Sequence, residues 1–373
     1  MTSNKSTFAH SLWLLVPFFL VACGGGGAED PSSGGTPQPT QSSTSGAMYF
    51  AYAANFDSND VTIYRIDPAS GALTRTGSAV AAGTGPRSVA VDPAGRFAYV
   101  ANETSNNVSA YRIDAATGAL TALGTVAAGT SPFSVTVAPG GNFVYVANQS
   151  SNDISTYRIS ATGALTPVSA PVPAGQTARS ISVHPNGSFA YVANFGADQI
   201  AGYAIDANGA LSPIGTLATT TGSFPISVAV DPTGRFAYVA NYGSDTVSAY
   251  SIAANGMLSV IGAAVPTGQT PASVAVHPGG QFVYVANSLS STVSAYRIDA
   301  NGALTFVGDV SSMGAGPVSI SVEPSGKFAY AANAGGNTAV AFSIDPATGA
   351  LSDPRTEFAG TDPASITAIR ILQ

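Results

Sequence analysis

The chain has 373 residues, 45% of them hydrophobic but only 9% charged, and its 20 acidic against 13 basic side chains leave a formal charge of −7. Two lysines, Lys5 and Lys327, and scattered arginines form no basic stripe, which excludes a surface that tracks a nucleic-acid backbone. Cys23 is the only cysteine, so no internal disulfide is available.

The first element in chain order is an export signal rather than part of a fold. Lys5 supplies a positive start, and Ser11 to Ala22 is an apolar run too short for the roughly 20 residues a spanning helix needs. The run ends in Leu20-Val21-Ala22-Cys23, which resembles the lipobox of bacterial lipoproteins. That resemblance implies a signal peptide over residues 1–23 and acylation of Cys23, anchoring the chain to a membrane of the cell envelope. Gly24 stands where an aspartate would retain a lipoprotein in the inner membrane, so the outer membrane is the expected destination. Residues 24–47, rich in Gly, Ser, Thr and Pro, lack apolar periodicity and read as a flexible tether with ends roughly 25–30 Å apart.

From Met48 onward the chain repeats itself. Asn55, Asn102, Asn148, Asn194, Asn241, Asn287 and Asn333 each close a Phe-x-Tyr-x-Ala-Asn segment, at spacings of 46 or 47 residues. Such a period, built of short β-rich runs and Gly-containing turns, predicts propeller blades. Within one unit the expected strands are Ser88 to Val91, Arg96 to Asn102, Val108 to Ile113 and a fourth near Leu120. The inner strands read Ser-aliphatic-small-aliphatic, with small residues on the face where blades crowd toward the axis. The first unit lacks an inner strand, and Ser365 to Ile371 is an orphan one at the C-terminus. Residues 48–373 are therefore expected to form an all-β, seven-bladed propeller of four-stranded antiparallel blades, closed by a C-terminal strand in the first blade.

The Tyr-Val-Ala-Asn segments at 99–102, 145–148, 191–194, 238–241 and 284–287, with the following Val-Ser-Ala-Tyr and Gly-Ala-Leu-Thr runs, resemble the YVTN propeller repeat and the lactonase family typified by 6-phosphogluconolactonase. The resemblance implies a ligand site at the channel mouth, on the face shared by the loops before each inner strand and after each asparagine. It also implies histidine, arginine and a carboxylate there for lactonase chemistry, which needs a base for water and a cation or donors for the oxyanion. Here Arg87-Ser88 and Arg179-Ser180 keep the arginine without the histidine. Of the three histidines, His10 lies in the leader, while His184 and His277 fall at inner turns of the opposite face, the slot of Asp92, Ala138, Asp231 and Glu323.

The seven inner-strand serines lack a nearby base and read as small packing residues, and the asparagines as loop-bonding groups. Asp57, Asp60, Glu103, Asp153, Asp198 and Asp245 are spread one or two per blade over the mouth loops, and no metal or other cofactor is expected. The residue before each inner-strand serine breaks the repeat: Arg87, Phe133, Arg179, Ile226, Ala272, Val318 and Ala364. Arg87, Phe133 and Arg179 are the predicted ligand-binding residues, suited to a carboxylate or phosphate. The loop Ala218 to Pro225 is longer than its equivalents. The sequence thus reads as an envelope-anchored monomer acting as a binding or scaffold module for a small anion or an envelope protein. A lactone hydrolase is the alternative, and a purely structural surface protein a further one.

Overall fold

Every Phe-x-Tyr-x-Ala-Asn segment becomes the second strand of an antiparallel sheet, and seven such sheets follow one another along the chain. The computed structural model describes residues 46–214 and 222–372. The expected leader, Cys23, nearly all of the tether, and Ala218 to Thr221 of the long loop lie outside them. Blade two shows the pattern, with strands Pro86–Val91, Phe97–Asn102, Asn107–Ile113 and Leu120–Ala127. The outermost strand is continuous in blades two, six and seven, and split into two pieces in blades one, three and five. The ring closes as expected: Pro363–Ile371 pairs antiparallel with Met48–Asn55, Ala53 opposite Ile366.

The second strands are buried on both faces, so apolar residues occupy every position rather than alternate ones. Size alternates instead. In blade two Phe97, Tyr99 and Ala101 pack against Val144 and Val146 of blade three, while Ala98 and Val100 face Tyr52 of blade one. An aromatic face thus meets a small face at each interface, the interdigitation that close packing requires.

Two rings of hydrogen bonds tie the blades together. The second-strand tyrosine of each blade donates its hydroxyl to a glycine carbonyl in the outer turn of the next, from Tyr52 to Gly118 at 2.9 Å round to Tyr330 to Gly71 at 3.0 Å. Gly118 is required there: its φ is +72°, and a Cβ would lie 2.4 Å from the Phe50 ring. The second ring revises the reading of the inner-strand serines as mere small residues. Ser88 Oγ accepts from Val135 N at 3.2 Å, and Ser134, Ser180, Ser227, Ser273, Ser319 and Ser365 do the same for the next inner strand. Each inner strand is the edge of its sheet, so these amides have no ladder partner, and the neighbouring serine supplies one.

Candidate functional site

The start of each inner strand carries a β-bulge. In blade two Pro86 lies opposite Asn102 and Ser88 opposite Ala101, leaving Arg87 unpaired between them. The same shift recurs in all seven blades. A bulge turns its extra residue out of the ladder, and all seven bulged residues line one cavity of about 380 Å³ at the channel mouth. The sequence-predicted Arg87, Phe133 and Arg179 are therefore brought together, with Ile226, Ala272, Val318 and Ala364 completing the ring.

A second ring, of which only Glu103 stood out in the sequence, comes from the residue after each asparagine: Phe56, Glu103, Gln149, Phe195, Tyr242, Ser288 and Ala334. Its backbone is held by the loop before the inner strand, as in Glu103 N to Gly85 O at 2.7 Å. The asparagines anchor these loops as expected. Asn102 is fully buried, donates to Asn107 and Ser109, and accepts from Gly83 N. A fixed slot after a fixed asparagine was the available signal.

The two rings interleave into a ladder of alternating rings and cations. The Arg87 guanidinium carbon lies 5.6 Å from the Phe56 ring centre and 4.5 Å from that of Phe133. Arg179 lies 5.2 Å from Phe133 and 3.8 Å from Phe195. Phe224 then stacks on Phe195 at 4.9 Å and 20°, and Tyr242 tilts against Phe195 at 5.8 Å. A cation over an aromatic face gains about 0.5–2 kcal/mol, more as it is desolvated.

The two arginines differ in their partners. Arg87 Nε sits 3.6 Å from Glu103 Oε2. It also faces Asp362, whose carboxyl is pushed above its ordinary range by burial and by Asp57, with Arg87 opposing. Arg179 instead donates through Nε to the neutral Gln149 Oε1 at 2.9 Å. Burial first, and the nearby Arg87 second, lower its pKa, but a guanidinium remains a cation at any physiological pH. Among the described residues no protein acceptor bonds the Nη atoms of either arginine. Arg179 is the less neutralised of the two cations.

Four of the other mouth-loop carboxylates hold loops together. Asp60 and Asp153 accept from Asn55 and Asn148, and Asp245 caps Thr270 N. Asp198, a possible partner for Arg179, accepts from Phe224 N at 2.6 Å instead. The histidines are equally committed. His184 Nδ1 accepts from Asn186 N, so Nε2 carries the proton donated to Gly234 O at 2.8 Å, and His277 bonds Gly279 N and Gly326 O the same way. Neither lines the mouth. Among the described residues no group of three or more His, Cys, Asp or Glu could hold a metal ion.

A seven-bladed propeller with a cation-bearing pocket at its channel mouth is the architecture that these observations define. The sequence matches the family Lactonase, 7-bladed β-propeller, over residues 35–137, 123–180, 173–270 and 258–368, and the chain belongs to that family. No curated protein matches it significantly in sequence. Among solved structures, a Bacteroides fragilis protein assigned as a 6-phosphogluconolactonase is 24% identical, covers 89% of this chain and 99% of its own, and superposes with a TM-score of 0.76. A Bacteroides uniformis protein of the same assignment is 22% identical, with 86% and 99% covered and a TM-score of 0.78. The periplasmic gluconolactonase of Pseudomonas aeruginosa is 22% identical, with 87% and 99% covered and a TM-score of 0.74. At these identities the likeness establishes the fold.

Proposed function

We propose that the chain is a lactone hydrolase whose substrate enters the channel mouth. Family membership and the names of its structural neighbours support the reaction class over a pure scaffold. The observation that carries it is Arg179, stacked between two rings in the mouth cavity with its Nη donors uncommitted. Those donors suit the carbonyl oxygen of a lactone as it gains negative charge. Glu103, held 3.6 Å from Arg87 and close enough to Arg179 to act on it electrostatically, supplies the carboxylate base. Water attacks the carbonyl carbon and passes a proton to Glu103. The ring C–O bond then breaks, the ring oxygen takes that proton, and the new carboxyl group gives its remaining proton to solvent; the resulting hydroxy carboxylate is held by Arg179 before it leaves.

The test is acid release from aldonolactones and aliphatic lactones by the native protein. Arg179→Ala should abolish release, and Glu103→Gln should cut kcat about 100-fold or more. No release above the spontaneous rate by the native chain would sink the proposal. A second reading, a module that binds the hydroxy acid without turnover, is favoured by Glu103 being engaged with Arg87 and by the lack of histidine among the described residues that line the cavity. In either case we place the protein in the cell envelope, tethered through acylated Cys23.

A further inference from the structure

The mouth cavity is divided. Blades two to four supply Arg87, Phe133 and Arg179, while blades five to seven and one supply only Ile226, Ala272, Val318 and Ala364 from the bulge ring. From the second ring, Phe195, Tyr242 and Ser288 reach the cavity, so among the described residues the side-chain hydroxyls on that side are those of Tyr242 and Ser288. Apolar character continues outward on the same side. Phe224 is 44% exposed, Leu289 68% and Met313 58%, and all three sit on mouth-face loops of blades five to seven.

We propose that this pocket takes a lactone, or its hydroxy acid, with an apolar aliphatic body rather than the polyhydroxylated body of a sugar lactone. The inference rests on the mouth being the substrate site of the hydrolase proposed above, and it narrows the substrate class. Every sugar hydroxyl that leaves water without a partner costs free energy, and a site built for a polyol answers each with a donor or acceptor. Among the described residues of blades five to seven, the hydroxyls of Tyr242 and Ser288 are too few to do so. An alkyl chain laid along Ile226, Val318 and Ala272 loses nothing polar and gains burial with each methylene. Its carbonyl or carboxylate end then meets Arg179 across the cavity.

Calorimetric binding of octanoate and gluconate tests this on the mature chain, alongside turnover of δ-decalactone and glucono-δ-lactone. Octanoate should bind about tenfold or more tightly than gluconate, the scale on which apolar pockets discriminate. Val318→Thr with Ala272→Ser introduces hydroxyls at little cost in volume and should lower that preference several-fold while the melting curve stays cooperative. Equal or tighter binding of gluconate, binding of neither acid, or an unchanged preference in the double variant overturns the inference. Preferred octanoate without any lactone turnover keeps the inference and sinks the hydrolase. Glucono-δ-lactone turnover with gluconate preferred does the reverse.

Discussion

The serine ring makes a quantitative claim that can be separated from packing. Ser134, Ser227 and Ser319 accept from Ile181 N, Val274 N and Ile366 N at 3.3, 3.2 and 3.1 Å. Changing all three to alanine keeps a small side chain and removes only the acceptor. A buried donor left unpaired costs about 1–3 kcal/mol, and these half-buried sites, partly reachable by water, belong near 1. The three serines are each separated by an intervening blade, so their effects should add, to about 3 kcal/mol. For a domain of this size that corresponds to a fall in melting temperature of roughly 4 °C. Thermal melts and urea titrations of native and triple-variant protein, compared at equal m-value, measure it. A triple variant that melts within about 1 °C of native would show that size alone selects serine at these positions, and the hydrogen-bond argument would fall.

Ending the chain after Gly360 removes Pro363–Ile371 and strips Met48–Asn55 of its inner partner, leaving it paired only with Asp60–Ile66; the truncated protein should be insoluble or melt without cooperativity, as sedimentation and calorimetry would show. Asp362, whose carboxyl is raised mainly by burial and then by Asp57, favours the folded state most while protonated, and this contribution is lost as pH rises through its folded pKa. Asp362→Asn should therefore raise the melting temperature at neutral pH by more than at about pH 3, and an equal change at both would remove the electrostatic cause. Cys23→Ala should release the protein from the membrane fraction; unchanged fractionation would refute the anchor.

Much of the architecture was legible because a propeller repeats its chemistry. The asparagine spacing gave seven units, and the missing inner strand before Met48 pointed to the clasp by Ser365 to Ile371. Arg87, Phe133 and Arg179 were legible as departures from the repeat. The partners that turn them into a site were not. Phe195 and Phe56 lie in loops whose composition looks like any polar connection, and only the asparagine before each fixes them beside a bulged arginine, Phe195 in its own blade and Phe56 across to the next. The serine ring was hidden for a related reason. Its donor and acceptor stand 47 or 48 residues apart within most of the ring, one full repeat, so neither residue carries a local sign of the other.

The slots that hold the ring together and the slots that line its mouth are different, and this separation explains how one fold can carry an unsymmetrical site. Turn glycines, second-strand tyrosines, asparagines and inner-strand serines recur in blade after blade, because each satisfies a neighbour's backbone or packs against its aromatic ring. The bulged residue satisfies no such demand: arginine, phenylalanine, isoleucine, alanine and valine all occupy it while the backbone register stays the same. Its identity is therefore free to answer to a ligand. Placing arginine in blades two and four, with phenylalanine between, lets one ring serve two guanidinium faces and keeps the like charges apart by a blade. Arginine suits this where lysine would not, since a planar guanidinium can stack by its faces while its edges donate hydrogen bonds. Held between rings, it has little rotamer freedom left to lose when an anion arrives, and that preorganisation is what a symmetrical mouth of small residues would lack.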